Sequence, residues 1–280
     1  MKERETDKEN RYLADYHTHS RISPDAKAPM LELLSAAEQA GLQELCVTDH
    51  VEPTVFGGTA LREKDYDWEP MRREYEAAKA AWNGAVVFRL GAELGDAVRA
   101  PEMAERFLEQ APELDFIIGS IHALSGRFGY QGLFPFVPKD EAEARCAIED
   151  YLEEVQKLAE WGKFDVLGHL TLPLRYFNEL RGFQLTFDGF EPQVERILRT
   201  LIGNGCGIEL NTNRGKIPLP DEKWLRMYRD LGGERITVGS DAHAPAGVGT
   251  AVAEGQALLK RCGFTRFCTF EKRQPVWHAL

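Results

Sequence analysis

Six short apolar, β-branched runs in this chain each end at a side chain able to hold a metal ion, and that repetition constrains the fold more than any other feature. The run at 12–16 leads into His17-Thr18-His19, the run at 45–48 into Asp49-His50, and the run at 86–92 into Glu93. Residues 116–121 close at His122, 165–168 at His169, and 236–240 at Asp241-Ala242-His243. Of the seven histidines only His278 lies outside this pattern. In an extended strand residues i and i+2 share a face, so His17 and His19 present two imidazoles side by side. Alone, the pair reads more readily as two surface histidines at a strand end. The other strand-end motifs decide for the ligand reading.

Helix signals lie between the runs. The stretch 29–41 opens on proline, spaces leucine and alanine at helical intervals and stops at Gly41. Asp67 is expected to cap a helix reaching Trp82, and Asp140 the longest one, ending at Trp161-Gly162. Further helices are expected at 101–110, 188–203, 221–231 and 250–261. Strands are read at 42–48, 86–92, 116–121, 164–167, 207–211 and 236–239 after the first, with 264–270 as one more at the sheet edge. Residues 51–66, 123–138 and 170–187 read as loops. Strands alternating with helices at intervals of roughly 30–45 residues give a parallel sheet with crossover helices, and seven such units suggest a barrel. In such barrels the functional groups come from the C-terminal ends of several strands, where every motif here sits.

A chain of 280 residues can build one large core, so a single domain is expected over 12–280 after a polar leader at 1–11. No apolar run approaches the ~20 residues that cross a bilayer, and the opening decapeptide has no apolar segment of a secretory signal, so a cytoplasmic protein is expected. Cys46, Cys146, Cys206, Cys262 and Cys268 show no C-x-x-C spacing, which argues against a disulfide framework and a cysteine zinc site. A formal charge of −11 is unsuited to tracking nucleic acid. An anionic substrate then needs local cations, which metals supply. The sequence leaves the oligomeric state open.

Taken in order, His17-x-His19, Thr48-Asp49-His50, Glu93, Ser120-Ile121-His122, Gly168-His169 and Ser240-Asp241-Ala242-His243 resemble the polymerase and histidinol phosphatase (PHP) family of phosphoesterases, from residue 12 to about 250. Gly168-His169-Leu170 leading to Arg175, and 209–214 ending in Arg214, are similar to loops of its monofunctional histidinol-phosphatases. The resemblance implies an α/β fold, a distorted (β/α)7 barrel of the TIM-barrel kind, with two to three divalent transition metals at the C-terminal ends of the strands. One metal would be held by His17, His19, Glu93 and Asp241, and a second by Glu93, His122 and His169, so that Glu93 bridges them. A third would be held by Asp25, His50 and His243; many members have histidine where Asp25 stands. Imidazole and carboxylate ligands without thiolate suit zinc, iron or manganese. Asp15 and Asp49 are expected to orient imidazoles.

Two metals about 3.5–4 Å apart generate hydroxide at neutral pH and stabilise charge during in-line displacement at phosphorus, so the expected reaction is phosphomonoester hydrolysis by a metal-bridging hydroxide. An alkoxide leaves poorly, and the third metal or a protonated Asp241 or His243 is the candidate for assisting it. Arg175 and Arg214 are candidate phosphate clamps, since guanidinium forks match phosphate oxygens; a solvated loop arginine is the alternative for each. The substrate implied is a small phosphorylated metabolite, L-histidinol phosphate in histidine biosynthesis, with no nucleic-acid or membrane partner. A phosphoesterase acting on nucleotides or phosphotyrosine, or a non-catalytic metal-bound module, are the alternatives.

Overall fold

The computed structural model describes residues 11–280, so the polar leader read at 1–11 lies, apart from Arg11, outside the described residues. Eight parallel segments form one sheet: β1 (Ala14–Asp15), β2 (Glu44–Val47), β3 (His50–Val51), β4 (Val87–Gly95), β5 (Phe116–Ser120), β6 (Val166–Leu167), β7 (Gly207–Asn211) and β8 (Ile236–Gly239). Their order is β1-β2-β4-β5-β6-β7-β8, with β3 continuing the line of β2 against β4. The ends of this order meet. Tyr16 N donates to Val238 O at 3.0 Å, Asp241 N to His17 O at 2.8 Å, and Thr18 bridges Ala242. The result is a distorted (β/α)7 barrel.

Helices α1 (Met30–Gln39), α2 (Glu69–Ala81), α3 (Pro101–Glu109), α4 (Glu141–Trp161), α5 (Leu172–Leu174), α6 (Glu191–Gly203), α7 (Glu222–Asp230) and α8 (Val252–Arg261) lie between the strands. In α4 the buried Ala144, Ala147, Ile148, Tyr151, Leu152, Val155 and Leu158 recur every three or four residues, which makes one apolar face for the sheet. Asp140 caps this helix by accepting from Glu143 N at 2.8 Å, and Gly162 ends it at φ 63°. With side chains packed on both faces, β2, β5, β7 and β8 are buried throughout, including Glu209 and Asn211, which alternate with Ile208 and Leu210 along β7.

Three stretches depart from the sequence reading. Residues 264–270 do not add an edge strand to the barrel: β9 (Arg266–Glu271) and β10 (Gln274–Ala279) form a separate antiparallel hairpin. Its turn uses Lys272 and Arg273 at φ 49° and 64°, so the glycine or asparagine that usually marks such a turn is missing. Within 51–66 and 170–187, both read as loops, Val51 joins the sheet through β3, and α5 continues as a single π-helical turn, Arg175–Leu180. Asp67 does not take the N-cap place of α2, which falls to Trp68, though its carboxylate accepts from Glu69 N at 3.0 Å.

Asp15 locks the ring where it closes. It is buried and accepts from Ser240 Oγ at 2.5 Å, Gly249 N at 2.8 Å and Ser240 N at 2.9 Å. Replacing it with alanine leaves buried donors unpaired, each costing about 1–3 kcal/mol. Urea unfolding of metal-free Asp15→Ala is therefore expected to show a loss on the order of 2–5 kcal/mol. A loss under about 1 kcal/mol would mean that closure does not depend on this carboxylate.

Candidate metal centre

Glu93 is the hub. It stands inside β4, in register with His50 of β3 and Ile118 of β5, and only 1% of it is exposed. Its Oε1 takes Ser120 Oγ at 2.7 Å, His169 Nε2 at 2.9 Å and His122 Nε2 at 3.1 Å. Its Oε2 lies 3.0 Å from His50 Nδ1, 3.3 Å from His17 Nε2 and 3.6 Å from His19 Nε2. One buried carboxylate thus meets five imidazoles, divided between its two oxygens. Asp241 Oδ1 stands 3.7 Å from His17 Nε2 and 3.5 Å from His19 Nε2. On the outer side Asp25 Oδ2 is 3.1 Å from His243 Nε2 and 3.6 Å from His50 Nε2.

A second layer fixes which ring nitrogen faces inward. A carboxylate only accepts, so His17 Nδ1 donates to Glu209 Oε1 and His122 Nδ1 to Glu52 Oε1, both at 2.7 Å. Ser23 Oγ donates to Asp49 at 2.7 Å and so accepts from His19 Nδ1 at 3.1 Å. His243 Nδ1 donates to Asp241 O at 3.0 Å. Each of these four rings therefore keeps Nε2 for the centre, as in metal-ligating histidines held by an outer acceptor. Asp15 and Asp49 were expected to do this for imidazoles; they hold serine hydroxyls and backbone N–H groups instead, Asp49 reaching His19 only through Ser23. Glu52 and Glu209 are the carboxylates that touch the rings. Gly239 makes room for one of them, since a Cβ there would fall 2.4 Å from both His17 Cβ and Glu209 Oε1.

Backbone conformation is spent here too. His169 and Asp241, at φ 22° and 59°, occupy the left-handed region that non-glycine residues rarely adopt, and such positions persist only where the surroundings hold them. His169 N donates to Glu209 Oε2 at 2.9 Å.

The electrostatics alternate from ring to ring. Burial would raise the Glu93 pKa, but His17, His122 and His50 outweigh it and hold the carboxyl well below its usual range. Burial works against a charged His17, yet Glu209, Glu93 and Asp241 push it well above the ordinary imidazole value. His122 is raised likewise by Glu93 and Glu52, and His50, despite its burial, to about 10 by Glu93 and Asp25. His19 falls to about 3, through burial and then the charges of His50 and His243. Cations arriving here displace protons from the raised rings.

These residues fit divalent metals. Among the described residues seven buried side-chain polar atoms lack a hydrogen-bond partner, and five belong to this cluster: Nε2 of His17 and His19, Nδ1 of His50 and His169, and Oε2 of Glu93. Buried unpaired groups are rare in native proteins, and here they are the donor atoms a metal ion would take. Ligand atoms converge in four overlapping groups, His17-His19-Asp241, His17-Glu93-His169, His50-Glu93-His122 and His19-His50-His243. All nine metal-ligand candidates read from the sequence stand in this one cluster, with Asp25 at its more open edge, 35% exposed.

The two arginines part company. Arg175, on the π-helical turn, is buried against the cluster and donates from Nη1 to Asp241 Oδ2 at 2.5 Å, Nε to Asn213 Oδ1 at 2.8 Å and Nη2 to Asn211 Oδ1 at 2.9 Å. Arg214 lies on the turn after β7 at φ 55° and is exposed. It makes no ion pair with the cluster.

The sequence pattern of the family described as "PHP domain" matches residues 15–213. A protein named "Probable histidinol-phosphatase" from Thermotoga maritima is 29% identical over 260 residues, spanning 90% of this chain and 93% of its own. The "Histidinol-phosphatase" of Lactococcus lactis is 27% identical over 262 residues, spanning 91% and 93%. The crystal structure of a histidinol phosphate phosphatase from Lactococcus lactis, complexed with zinc, L-histidinol and phosphate, has a TM-score of 0.77 at 23% identity, covering 94% of this chain and 98% of that one. At that identity the likeness concerns the fold.

The second layer makes its own prediction. Glu209→Gln keeps the shape but removes the charge behind His17, and loss of such an outer partner typically weakens metal binding about 10 to 100-fold. Competition with a chromogenic chelator measures it, and an affinity equal to the parent's would deny Glu209 that role.

Proposed function

The chain belongs to the PHP domain family, and from that premise we propose that it is a cytoplasmic metal-dependent phosphatase, one catalytic domain over 12–280, hydrolysing a small phosphomonoester, L-histidinol phosphate. The observation that carries the reading is the pairing of two opposite needs at one place. Unpartnered imidazole nitrogens and a shared carboxylate await cations, and a buried arginine, fixed through Asp241, stands beside them for an anion. The names of relatives spanning nine-tenths of the chain support the substrate.

His17, His19, Glu93 and Asp241 would hold one metal, and Glu93, His122 and His169 a second, with Asp25, His50 and His243 around the third position. Divalent ions held there supply a lowered pKa for coordinated water and neutralise charge on phosphoryl oxygens. The chain's own contribution starts with Arg175. Three acceptors take three of its N–H groups and leave others for phosphate oxygens. Asp241 has Oδ1 toward His17 and His19 and Oδ2 on Arg175 Nη1 at 2.5 Å, an arrangement that supports a ligand role for it over that of proton donor. His243 suits that role better. It is 33% exposed, and although burial opposes its charge, Asp25 and Asp241 raise its pKa. Where the third position holds no metal, a protonated His243 gives its proton to the departing alkoxide; where it holds one, that role passes from His243 to the metal.

One panel of substrates tests both parts with metal-loaded protein. L-Histidinol phosphate is expected to show a kcat/KM at least ~10²-fold above glycerol and sugar phosphates, the scale on which a few polar contacts discriminate. His243→Asn is expected to lower kcat on alkyl phosphates by about 10² or more, and on p-nitrophenyl phosphate, whose leaving group needs no proton, by less than about threefold. Equal rates across the panel would remove the substrate and keep the phosphatase. No turnover by protein carrying its metals would remove the phosphatase, and equal losses on both ester types would remove the proton donor.

A further inference from the structure

Among the described residues Arg175 is the one arginine or lysine that is buried. Two of its three acceptors are asparagine amides, and an amide accepts only if its oxygen, not its nitrogen, faces the guanidinium. Something has to fix each amide. For Asn211 the fixing groups are inside the centre: Oδ1 also accepts from Asn213 N at 2.9 Å, and Nδ2 donates to Glu209 Oε2 at 3.3 Å. For Asn213 they lie outside it. Its Nδ2 donates to Glu179 Oε1 at 2.6 Å and Ile217 O at 2.9 Å, which leaves Oδ1 for Arg175 Nε.

Glu179 sits on the same π-helical turn as Arg175, four residues on. The turn therefore carries both the guanidinium and the carboxylate that orients its acceptor, and the ring Arg175–Asn213–Glu179 closes through its backbone. π-helical turns are rare and recur at functional sites, because they shift side-chain directions by an extra residue. Asn213 is held at φ 48°, in the left-handed region that asparagine adopts more readily than most residues. The remaining Glu179 oxygen takes Lys216 Nζ at 2.6 Å on the surface.

We propose that Glu179 is a positioning residue, which sets the Arg175 guanidinium for a phosphate oxygen by fixing the amide of Asn213. The proposal rests on the phosphatase reading, deepening it from which cation meets the phosphate to what aims that cation. Without Glu179 one of two restraints on the Asn213 amide is lost, and the Nη groups of Arg175 turn against their other two acceptors. Binding of a phosphate group suffers while the metal ligands stay as they were.

The test uses the full chain loaded with metal, in parent, Glu179→Ala, Glu179→Gln and Lys216→Ala forms, with L-histidinol phosphate as substrate and inorganic phosphate as competitive inhibitor. Glu179→Ala is expected to raise KM and the phosphate inhibition constant together by about 10-fold, with kcat within about threefold, the split that marks lost ground-state binding. Metal content and Tm stay at parent values. Glu179→Gln, whose carbonyl still accepts from Asn213, restores both constants to within about threefold, and Lys216→Ala leaves them within about twofold. Parent-like constants in Glu179→Ala overturn the proposal. Loss of folding or metal in that variant, or failure of Glu179→Gln to rescue, overturns it equally, by assigning Glu179 a structural role. A parent that hydrolyses nothing defeats the phosphatase reading instead, and calorimetric phosphate affinities of the same variants then decide Glu179.

Discussion

Burying one carboxylate among five imidazoles is the constraint on which the rest of this structure depends. Glu93 has no water to stabilise its charge, and an isolated buried carboxylate is far too costly to keep ionised. It is kept ionised because the segments after β1, β5 and β6 and the start of β3 bring imidazoles beside it. The parallel sheet matters for this reason: it brings the ends of β1, β3, β5, β6 and β8 to one mouth, so residues more than 200 apart in sequence meet within a few ångströms.

The cluster is held by a shell that is as specific as itself. Glu209 fixes His17 and the backbone of His169 at once, Glu52 fixes His122, and the Asp49–Ser23 pair fixes His19. Asp15 does the same for the chain, tying β1 to the segment after β8. Rings oriented in this way present preset nitrogens, and a metal ion then loses little to side-chain ordering. The left-handed backbone at His169 and Asp241 belongs to the same arrangement, since those angles place the side chains at the strand ends where they meet Glu93 and Arg175.

Much of the barrel and eight of the nine ligand candidates could be read in the sequence because those ligands close apolar runs, where a polar residue has no packing reason to be; Asp25, in the loop after His19, came from the family resemblance alone. Glu209 carried a similar signal, a carboxylate inside the apolar run of β7, but in a chain rich in acidic residues it was not separable from a strand facing solvent. Glu52 lay in a stretch with no periodicity, where β3 is too short to register. The π-helical turn holding Arg175 and Glu179 has no sequence signature, because its extra residue is set by what it packs against. The C-terminal hairpin was mistaken for an edge strand for want of a recognisable turn, although its packing is clear once seen: Phe270 lies on Phe116, with ring centres 5.0 Å apart, and accepts from Tyr16 Oη at 3.0 Å.

The proposed sharing of Glu93 between two cations is open to direct observation. Anomalous diffraction at the metal edge, from crystals of zinc- or manganese-loaded protein, tests it most directly. Two peaks are expected flanking the Glu93 carboxylate, about 3.5–4 Å apart, one reached by His17, His19 and Asp241 and the other by His122 and His169. Full-occupancy peaks bound elsewhere, with none in reach of Glu93, would contradict it.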